Sequence, residues 1–258
     1  MVLIHAVPAF QDNYLWVLAR DGRAAVVDPG DAAPVQRFLD AHGLALDAIL
    51  ATHHHADHIG GVPALVQRWK CPVFGPAHDG VGGLDRALGE GDRITVPGIE
   101  LAFAVLDVPG HTAGHIAYVH AGPEDPVVFC GDTLFACGCG RLFEGTPAQM
   151  AASLAKLAAL PGATRVYCAH EYTLANIRFA EAVEPANREL ARRKARDAAA
   201  RGRGEATVPS TIAVELATNP FLRCGEPGVV AAAERHAGRR LADPVAVFAE
   251  IRAWKNTF

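Results

Sequence analysis

Four histidines and one aspartate lie within six consecutive residues of the segment Thr52–His58, which reads T-H-H-H-A-D-H. Imidazole nitrogens and carboxylate oxygens are the ligands that suit Zn, Fe(II) and Mn(II). Groups so close in sequence can surround an ion only on a loop that turns. An apolar run over residues 46–51 precedes them, and the aspartate is not typical of a low-complexity histidine tract. The segment therefore predicts a metal site at the end of a strand.

Backbone alternation assigns these side chains different directions. In an extended chain His53 and His55 point to one side and His54 to the other, so we expect the first two to share one ion and His54 to be no ligand. The turn that must follow would aim Asp57 and His58 at a second position beside the first. The spacing thus allows two neighbouring ions.

Three further strand-like runs are each followed by a side chain that can bind a metal. These side chains are His111, Asp132 and His170. A lone histidine is usually structural, but such groups recur here at strand ends, where open α/β sheets place their sites. Asp28 ends another strand. Two interpretations stay open for it, namely a carboxylate that orients a ligand histidine and a plain turn residue before Pro29-Gly30.

The predicted secondary structure that positions these groups changes along the chain, from mixed strands and helices to helices alone. A β-meander and then β-α-β patterns are predicted up to a strand over residues 165–168, with an irregular glycine-rich stretch at 75–97. From about Tyr172 the pattern is helical, without a convincing strand. The candidate helices cover residues 173–184, 189–201, 211–218 after a Ser210 cap, 229–236 and 244–256.

Composition indicates a soluble globular protein, with 258 residues, 50% hydrophobic residues and a net charge of -4. No run reaches the ~20 apolar residues that cross a bilayer, and the N-terminus lacks a basic leader, so we expect a cytoplasmic protein. The six cysteines fit neither a zinc pattern nor a disulfide scaffold, which predicts mostly buried free thiols. Residues 188–203 carry seven Lys/Arg against two acids, a pattern that favours a solvated helix face over a nucleic-acid patch because the whole chain is acidic.

The motif over Thr52–His58 resembles the T-H-x-H-x-D-H signature of the metallo-β-lactamase superfamily. Seven further segments narrow the resemblance to the hydroxyacylglutathione hydrolases, also called glyoxalase II; they are residues 12–16, 111–115, 131–135, 138–146, 168–172, 219–223 and 252–256. The resemblance covers nearly the whole chain. It implies an α+β fold, with a four-layer αβ/βα sandwich as catalytic domain over residues 1–172 and a small all-α glutathione-binding domain over 173–258.

The same resemblance implies two divalent metal ions, zinc first, with iron or manganese as alternatives. The implied ligands are His53, His55 and His111 for one ion, Asp57, His58 and His170 for the other, and Asp132 as a bridge. Asp57 and Asp132 would also orient the hydroxide that the ions make from water.

The implied reaction is hydrolysis of S-D-lactoylglutathione and other 2-hydroxyacylglutathione thioesters to glutathione and the hydroxy acid, the second step of methylglyoxal detoxification. Because a thiolate leaves readily, no general acid is invoked. The expected partner is this small molecule alone, with neither nucleic acid nor membrane, and the chain is expected to be a monomer.

Five residues are implied as glutathione contacts: Arg141, Phe143, Tyr172, Arg252 and Lys255. Arg252 and Lys255 are three apart on the predicted last helix, so we expect both to reach one carboxylate. Some relatives have Lys and Tyr at positions 141 and 143. Arg141 keeps the charge, whereas Phe143 lacks a hydroxyl, so only a backbone contact can serve there.

Two other functions remain open. A glutathione persulfide dioxygenase shares the fold but uses a single iron and lacks this helical tail, and a non-catalytic metal- or glutathione-binding module would need no complete ligand set. Metal stoichiometry separates the first from a hydrolase, and a thioesterase assay separates the second.

Overall fold

The computed structural model describes all 258 residues, from Met1 to Phe258. The chain forms two compact units. Unit 1 comprises Met1–Asp107 and Thr112–Gly131, and unit 2 comprises Val108–His111 and Asp132–Phe258. These units follow a different division from the one at residue 172, which stays a prediction.

Unit 1 contains a six-stranded sheet in which sequence order and spatial order agree. Its strands are β1 (Leu3–Ala9), β2 (Asn13–Arg20), β3 (Arg23–Val27), β4 (Ala45–Leu50), β5 (Val73–Pro76) and β6 (Arg86–Leu88). The first three pair antiparallel and the last three add in parallel, which confirms the predicted meander and β-α-β pattern. Parallel β3 and β4 consequently end side by side, at the residues that open the metal motif.

Three helices of unit 1 connect the parallel strands: α1 (Ala32–His42), the short α2 (Ala56–Ile59) and α3 (Val62–Trp69). Helix α1 begins at Asp31, whose carboxylate accepts from the N–H of Ala33, and ends at the left-handed Gly43. Val35 and Leu39 on α1 and Leu65 on α3 are fully buried in the core that this sheet forms. That packing fixes where the loop between β4 and α2 leaves the sheet.

Four antiparallel strands complete unit 1: β7 (Arg93–Val96), β8 (Leu101–Asp107), β9 (Ile116–His120) and β10 (Val127–Gly131). The prediction of irregular structure over 75–97 was wrong for β6 and β7. These strands have three and four residues, too few for a clear alternation between flanking glycines.

Unit 2 holds the short strands β11 (Leu134–Phe135), β12 (Gly138–Cys139), β13 (Arg165–Cys168) and β14 (Ser210–Thr211). Its helices are α4 (Pro147–Ala158), α5 (Thr173–Val183), α6 (Arg188–Gly202), α7 (Ile212–Thr218), α8 (Pro227–Ala237) and α9 (Pro244–Thr257). The five predicted C-terminal helices are confirmed. The N-cap of α7 is Thr211, not Ser210, because the Thr211 hydroxyl accepts from the N–H of Val214, whereas the Ser210 hydroxyl donates to Glu215. Both residues form β14, which pairs antiparallel with β13 where no strand was expected.

Helix α6 carries the basic stretch, and one of its residues departs from the prediction of a solvated face. Arg193 is only 3% exposed, because its guanidinium is bonded to buried acceptors, whereas its basic neighbours on the helix are exposed.

All six cysteines are buried and free, as predicted. None of the helices is both long and apolar enough to traverse a bilayer.

Candidate metal centre

The loop that carries the histidine cluster is anchored by Asp28 at the end of β3. Its Oδ1 accepts from the N–H of Thr52 at 2.7 Å, and its Oδ2 accepts from the Thr52 hydroxyl at 2.7 Å. Both residues are buried. The carboxylate of one parallel strand thus fixes the first residue of the motif that follows the next.

His53 and His55 bring one nitrogen each to a common point. His53 Nε2 lies 3.1 Å from His55 Nδ1. Two nitrogens that share a tetrahedral zinc at ~2.0–2.1 Å are about 3.3 Å apart, so this spacing fits a single ion. The other His53 nitrogen, Nδ1, lies 3.1 Å from the Thr52 hydroxyl, which donates its own proton to Asp28 and can therefore accept. That arrangement leaves the lone pair on His53 Nε2.

His58 is oriented by the same carboxylate. Its Nδ1 lies 3.0 Å from Asp28 Oδ2, a contact that favours the tautomer with the proton on Nδ1 and the lone pair on Nε2. Nε2 lies 3.7 Å from Asp57 Oδ2, which also accepts from the Asn13 side-chain amide at 3.1 Å. Of the two interpretations of Asp28, this geometry favours the orienting carboxylate.

The side chain of His54 bonds to Asp79, and its ring meets that of His55 edge-on, with centroids 4.9 Å apart. Asp79 Oδ2 accepts from the His54 N–H at 2.8 Å and lies 3.0 Å from His54 Nδ1. Its other oxygen accepts from the N–H of Gly114 at 2.8 Å. Asp79 therefore ties together two loops of unit 1, a role that we did not predict because this residue lies in the glycine-rich stretch; its only local signal is the Asp79-Gly80 turn pair.

Replacing Asp79 with alanine is expected to lower the free energy of unfolding by about 2–5 kcal/mol, since two partly buried backbone N–H groups lose a carboxylate acceptor. Urea denaturation measures this. Asp40→Ala serves as control, because it removes an exposed ion pair with Arg68 and should cost less than about 1 kcal/mol. Equal losses in the two variants would contradict the bridging role of Asp79.

His115 is a further buried histidine for which the sequence suggested no role. Its ring stacks on that of His53, with centroids 4.5 Å apart and an interplanar angle of 19°. A Cβ on Gly131 would approach His115 Nε2 to 2.8 Å and Thr52 Oγ1 to 2.4 Å. The end of β10 must therefore lack a side chain for this packing to exist.

In unit 2, Asp132 stands between two histidines. Its Oδ2 lies 3.3 Å from His111 Nε2 and its Oδ1 3.4 Å from His170 Nε2. These separations match those of two ligand atoms on one zinc, about 3.3 Å. The carbonyl of Arg141 lies 2.9 Å from His111 Nδ1 and holds the proton there, so the lone pair that can ligate an ion is on Nε2. A carboxylate with each oxygen facing a different imidazole suits a bridge between two ions.

Three of the predicted glutathione contacts are exposed in unit 2. They are Arg141, Phe143 and Tyr172. The Phe143 N–H donates to the carbonyl of His111 at 3.3 Å, so a backbone contact with a ligand is left to its carbonyl. The Tyr172 ring stacks on His170 with centroids 4.7 Å apart and an interplanar angle of 4°.

Arg252 and Lys255 share a helix face but differ in availability. Arg252 is 4% exposed, and its guanidinium donates to the Cys139 carbonyl at 2.9 Å and to the Asn256 side chain at 3.1 Å. The expectation that both cations reach one carboxylate is therefore not supported for Arg252. Lys255 is half-buried. Burial and the positive charges of Arg252 and Arg141 lower the pKa of its ammonium group to about 8.

Two family models match consecutive parts of the chain: the metallo-beta-lactamase superfamily over residues 9–170 and the hydroxyacylglutathione hydrolase C-terminus over residues 171–258. The hydroxyacylglutathione hydrolase of Alkalilimnicola ehrlichii is 60% identical over 258 residues, covering 99% of each chain. That of Cupriavidus taiwanensis is 57% identical over 266 residues, covering 100% of each.

Similar solved structures include ETHE1 from Myxococcus xanthus, with a TM-score of 0.65 and 25% identity, covering 100% of this chain and 99% of that one. Another is TTHA1623 in a di-iron-bound form, with a TM-score of 0.60 and 26% identity, covering 85% of this chain and 100% of the other.

Proposed function

The chain belongs to the hydroxyacylglutathione hydrolases of the metallo-β-lactamase superfamily, and we propose that it hydrolyses 2-hydroxyacylglutathione thioesters, S-D-lactoylglutathione among them. Its fold is the expected metallo-β-lactamase fold, with mixed sheets and a C-terminal helical region. The observation that carries the proposal is that a protein oxygen lies 2.9–3.1 Å from one ring nitrogen of His53, His58 and His111, so that each ring can present its other nitrogen to an ion, as in catalytic metal sites.

We propose that the two ligand sets hold a pair of divalent ions together. His53, His55 and His111 bind one ion, Asp57, His58 and His170 the other, and Asp132 bridges them. The histidine and aspartate groups of the chain are compatible with such a centre. When bound, the ions lower the pKa of a water that they share and polarise the thioester carbonyl. Zinc is the metal that we propose, with iron or manganese as alternatives.

The chain's own residues orient this chemistry. Asp28 orients the imidazole of His58 and Thr52 that of His53, and the Arg141 carbonyl does so for His111. The carboxylates of Asp57 and Asp132 accept a hydrogen bond from the attacking water and so aim its oxygen at the carbonyl carbon. Glutathione leaves as its thiolate, and we assign no general acid.

For glutathione, we propose that Lys255, Arg141 and Tyr172 bind the tripeptide directly. Arg252 does not contact the tripeptide in this proposal, since its guanidinium is bonded to the Cys139 carbonyl; its charge lowers the pKa of Lys255.

We propose that residues 1–172 form the catalytic domain and 173–258 the glutathione-binding domain. We further propose a cytoplasmic monomer. Six free thiols suit a reducing compartment, and a single chain supplies all seven metal ligands.

An assay of the purified protein with S-D-lactoylglutathione tests the proposed function. We expect the release of one free thiol per thioester cleaved, with kcat/KM within the ordinary enzymatic range of about 10⁴–10⁸ M⁻¹s⁻¹. Oxygen consumption with glutathione persulfide and no thioester cleavage would instead identify a dioxygenase. If neither reaction is observed, the remaining interpretation is a non-catalytic metal- or glutathione-binding module.

Replacing Lys255 with alanine is expected to raise KM for glutathione thioesters about tenfold or more with little change in kcat, because a charge-assisted bond to a substrate carboxylate is lost. Thioesters without the glutathione moiety should be unaffected. Lys156→Ala, at an exposed position of α4, is the control and should leave both substrates unchanged. Equal losses on both substrates in Lys255→Ala would contradict the pocket assignment.

The lowered pKa of Lys255 predicts a pH dependence of KM. Below about pH 8 the ammonium is charged and binds a carboxylate; as pH rises through about 8 the free enzyme loses this proton, so kcat/KM for the glutathione substrate should fall. An ordinary lysine would titrate near pH ~10.4 instead. Lys255→Arg keeps its charge and should remove the inflection. An unchanged inflection in that variant would assign it to another group.

A further inference from the structure

The hairpin of β11 and β12 connects the candidate ligands of unit 2. Asp132 lies two residues before β11. Arg141 lies two residues after β12, and its carbonyl holds His111 Nδ1 at 2.9 Å. The ring of Phe135 on β11 packs edge-on against the imidazole of His170, with centroids 5.8 Å apart. The position of this hairpin therefore affects the side chains of Asp132, His111 and His170.

The hairpin is too small to hold its own shape. Each strand has two residues, and a short isolated hairpin is at best marginally stable in water. At its tip Cys137 adopts a φ of 59°, in the left-handed region that disfavours a residue with a Cβ. Such a conformation persists only where the surroundings impose it.

Buried polar side chains from the helices supply that constraint. Glu215 on α7 accepts from the N–H of Cys137 at 2.8 Å. The side-chain amide of Asn219, the residue that follows α7, donates to the carbonyls of Gly138 at 2.9 Å and Phe135 at 3.3 Å. Both Glu215 and Asn219 are fully buried. They fix the backbone of the hairpin tip from one side.

A second side-chain amide and a buried cation complete the arrangement. Asn176 on α5 is 2% exposed and donates to the carbonyl of Ala136 at 2.9 Å. Arg193 donates to the remaining oxygen of Glu215 at 2.7 Å and is itself bonded to Asp197 at 3.3 Å. Glu215 is thereby kept in place, with one oxygen directed at the hairpin. We call Asn176, Glu215 and Asn219 the hairpin clamp.

We propose that the hairpin clamp positions the metal ligands: by fixing residues 135–138 it determines where Asp132 and His111 present their ligand atoms. The clamp residues are positioning residues, since they act through the hairpin and touch no ligand side chain. This inference rests on the proposed two-metal function. It gives the helical region a second task beside glutathione binding.

The test compares Asn219→Ala with Asn187→Ala in the full-length protein. Asn187 is a matched control because its amide also donates to a carbonyl, that of Ala217 at 3.0 Å, and it caps α6 without contacting the hairpin. Stepwise zinc dissociation constants are measured by competition with a chromophoric chelator, alongside Tm, kcat and KM. Both variants should lose Tm. Only Asn219→Ala should weaken zinc binding, by about 10–100-fold, and lower kcat.

Asn176→Ala removes a single bond to the hairpin and leaves the buried ion pair intact, so it provides the test if Asn219→Ala does not fold. It should also weaken zinc binding. Unchanged zinc constants in both clamp variants, together with a Tm loss like that of Asn187→Ala, would overturn the proposal and leave a purely structural role. Wild-type protein that takes up no pair of zinc ions would instead overturn the proposed function, before any variant is compared.

Discussion

Asp132→Ala is expected to lower kcat for S-D-lactoylglutathione by about 10³-fold or more, equal to about 4 kcal/mol of transition-state stabilisation. The reason is that one carboxylate faces both His111 and His170, so its removal disturbs both proposed ion sites at once. Steady-state kinetics measure the loss. Elemental analysis of the same sample should show that metal content falls as well.

Asp107→Ala is the matched control for this variant. Asp107 ends β8 as Asp132 follows the end of β10, but it is not among the proposed ligands. Its replacement should leave kcat and metal content near the wild-type values. Normal turnover in Asp132→Ala, or equal losses in the two variants, would contradict the bridging role.

His58→Ala should also abolish most activity, with kcat reduced about 10²–10³-fold because one proposed ion loses a buried ligand. His54→Ala is an unusually close control: the two imidazoles belong to one motif, but that of His54 bonds to Asp79. We expect about one metal ion per chain in His58→Ala and no loss in His54→Ala. If the two variants lose activity alike, the assignment of ligands within the motif is wrong.

Much of the fold was predictable because its signals are local. Alternation and turn residues indicate the meander and the following strand. The residues Thr146-Pro147-Ala148-Gln149 have the pattern of a capping box, and Thr146 and Gln149 do bond reciprocally at the start of α4. The ligand candidates were also visible, because each follows an apolar strand and the residue types are those of a metal site. The local sequence pattern was sufficient where a single segment contains all the residues that indicate the element or the ligand.

Local pattern fails where a residue acts on a distant segment. Asp79 joins loops 25 and 35 residues away, and Glu215 bonds to a residue 78 positions earlier. Nothing near either residue indicates its partner. Arg252 shows the same limit: helical spacing places it beside Lys255, but only the fold shows that its guanidinium is bonded to a carbonyl 113 residues away.

The metal content of the purified protein, measured by elemental analysis and paired with the thioester assay before and after chelation, tests the central claim most directly. We expect about two divalent ions per chain, loss of S-D-lactoylglutathione hydrolysis when they are removed, and recovery when zinc is restored. One ion per chain, or full hydrolysis by metal-free protein, would contradict the account.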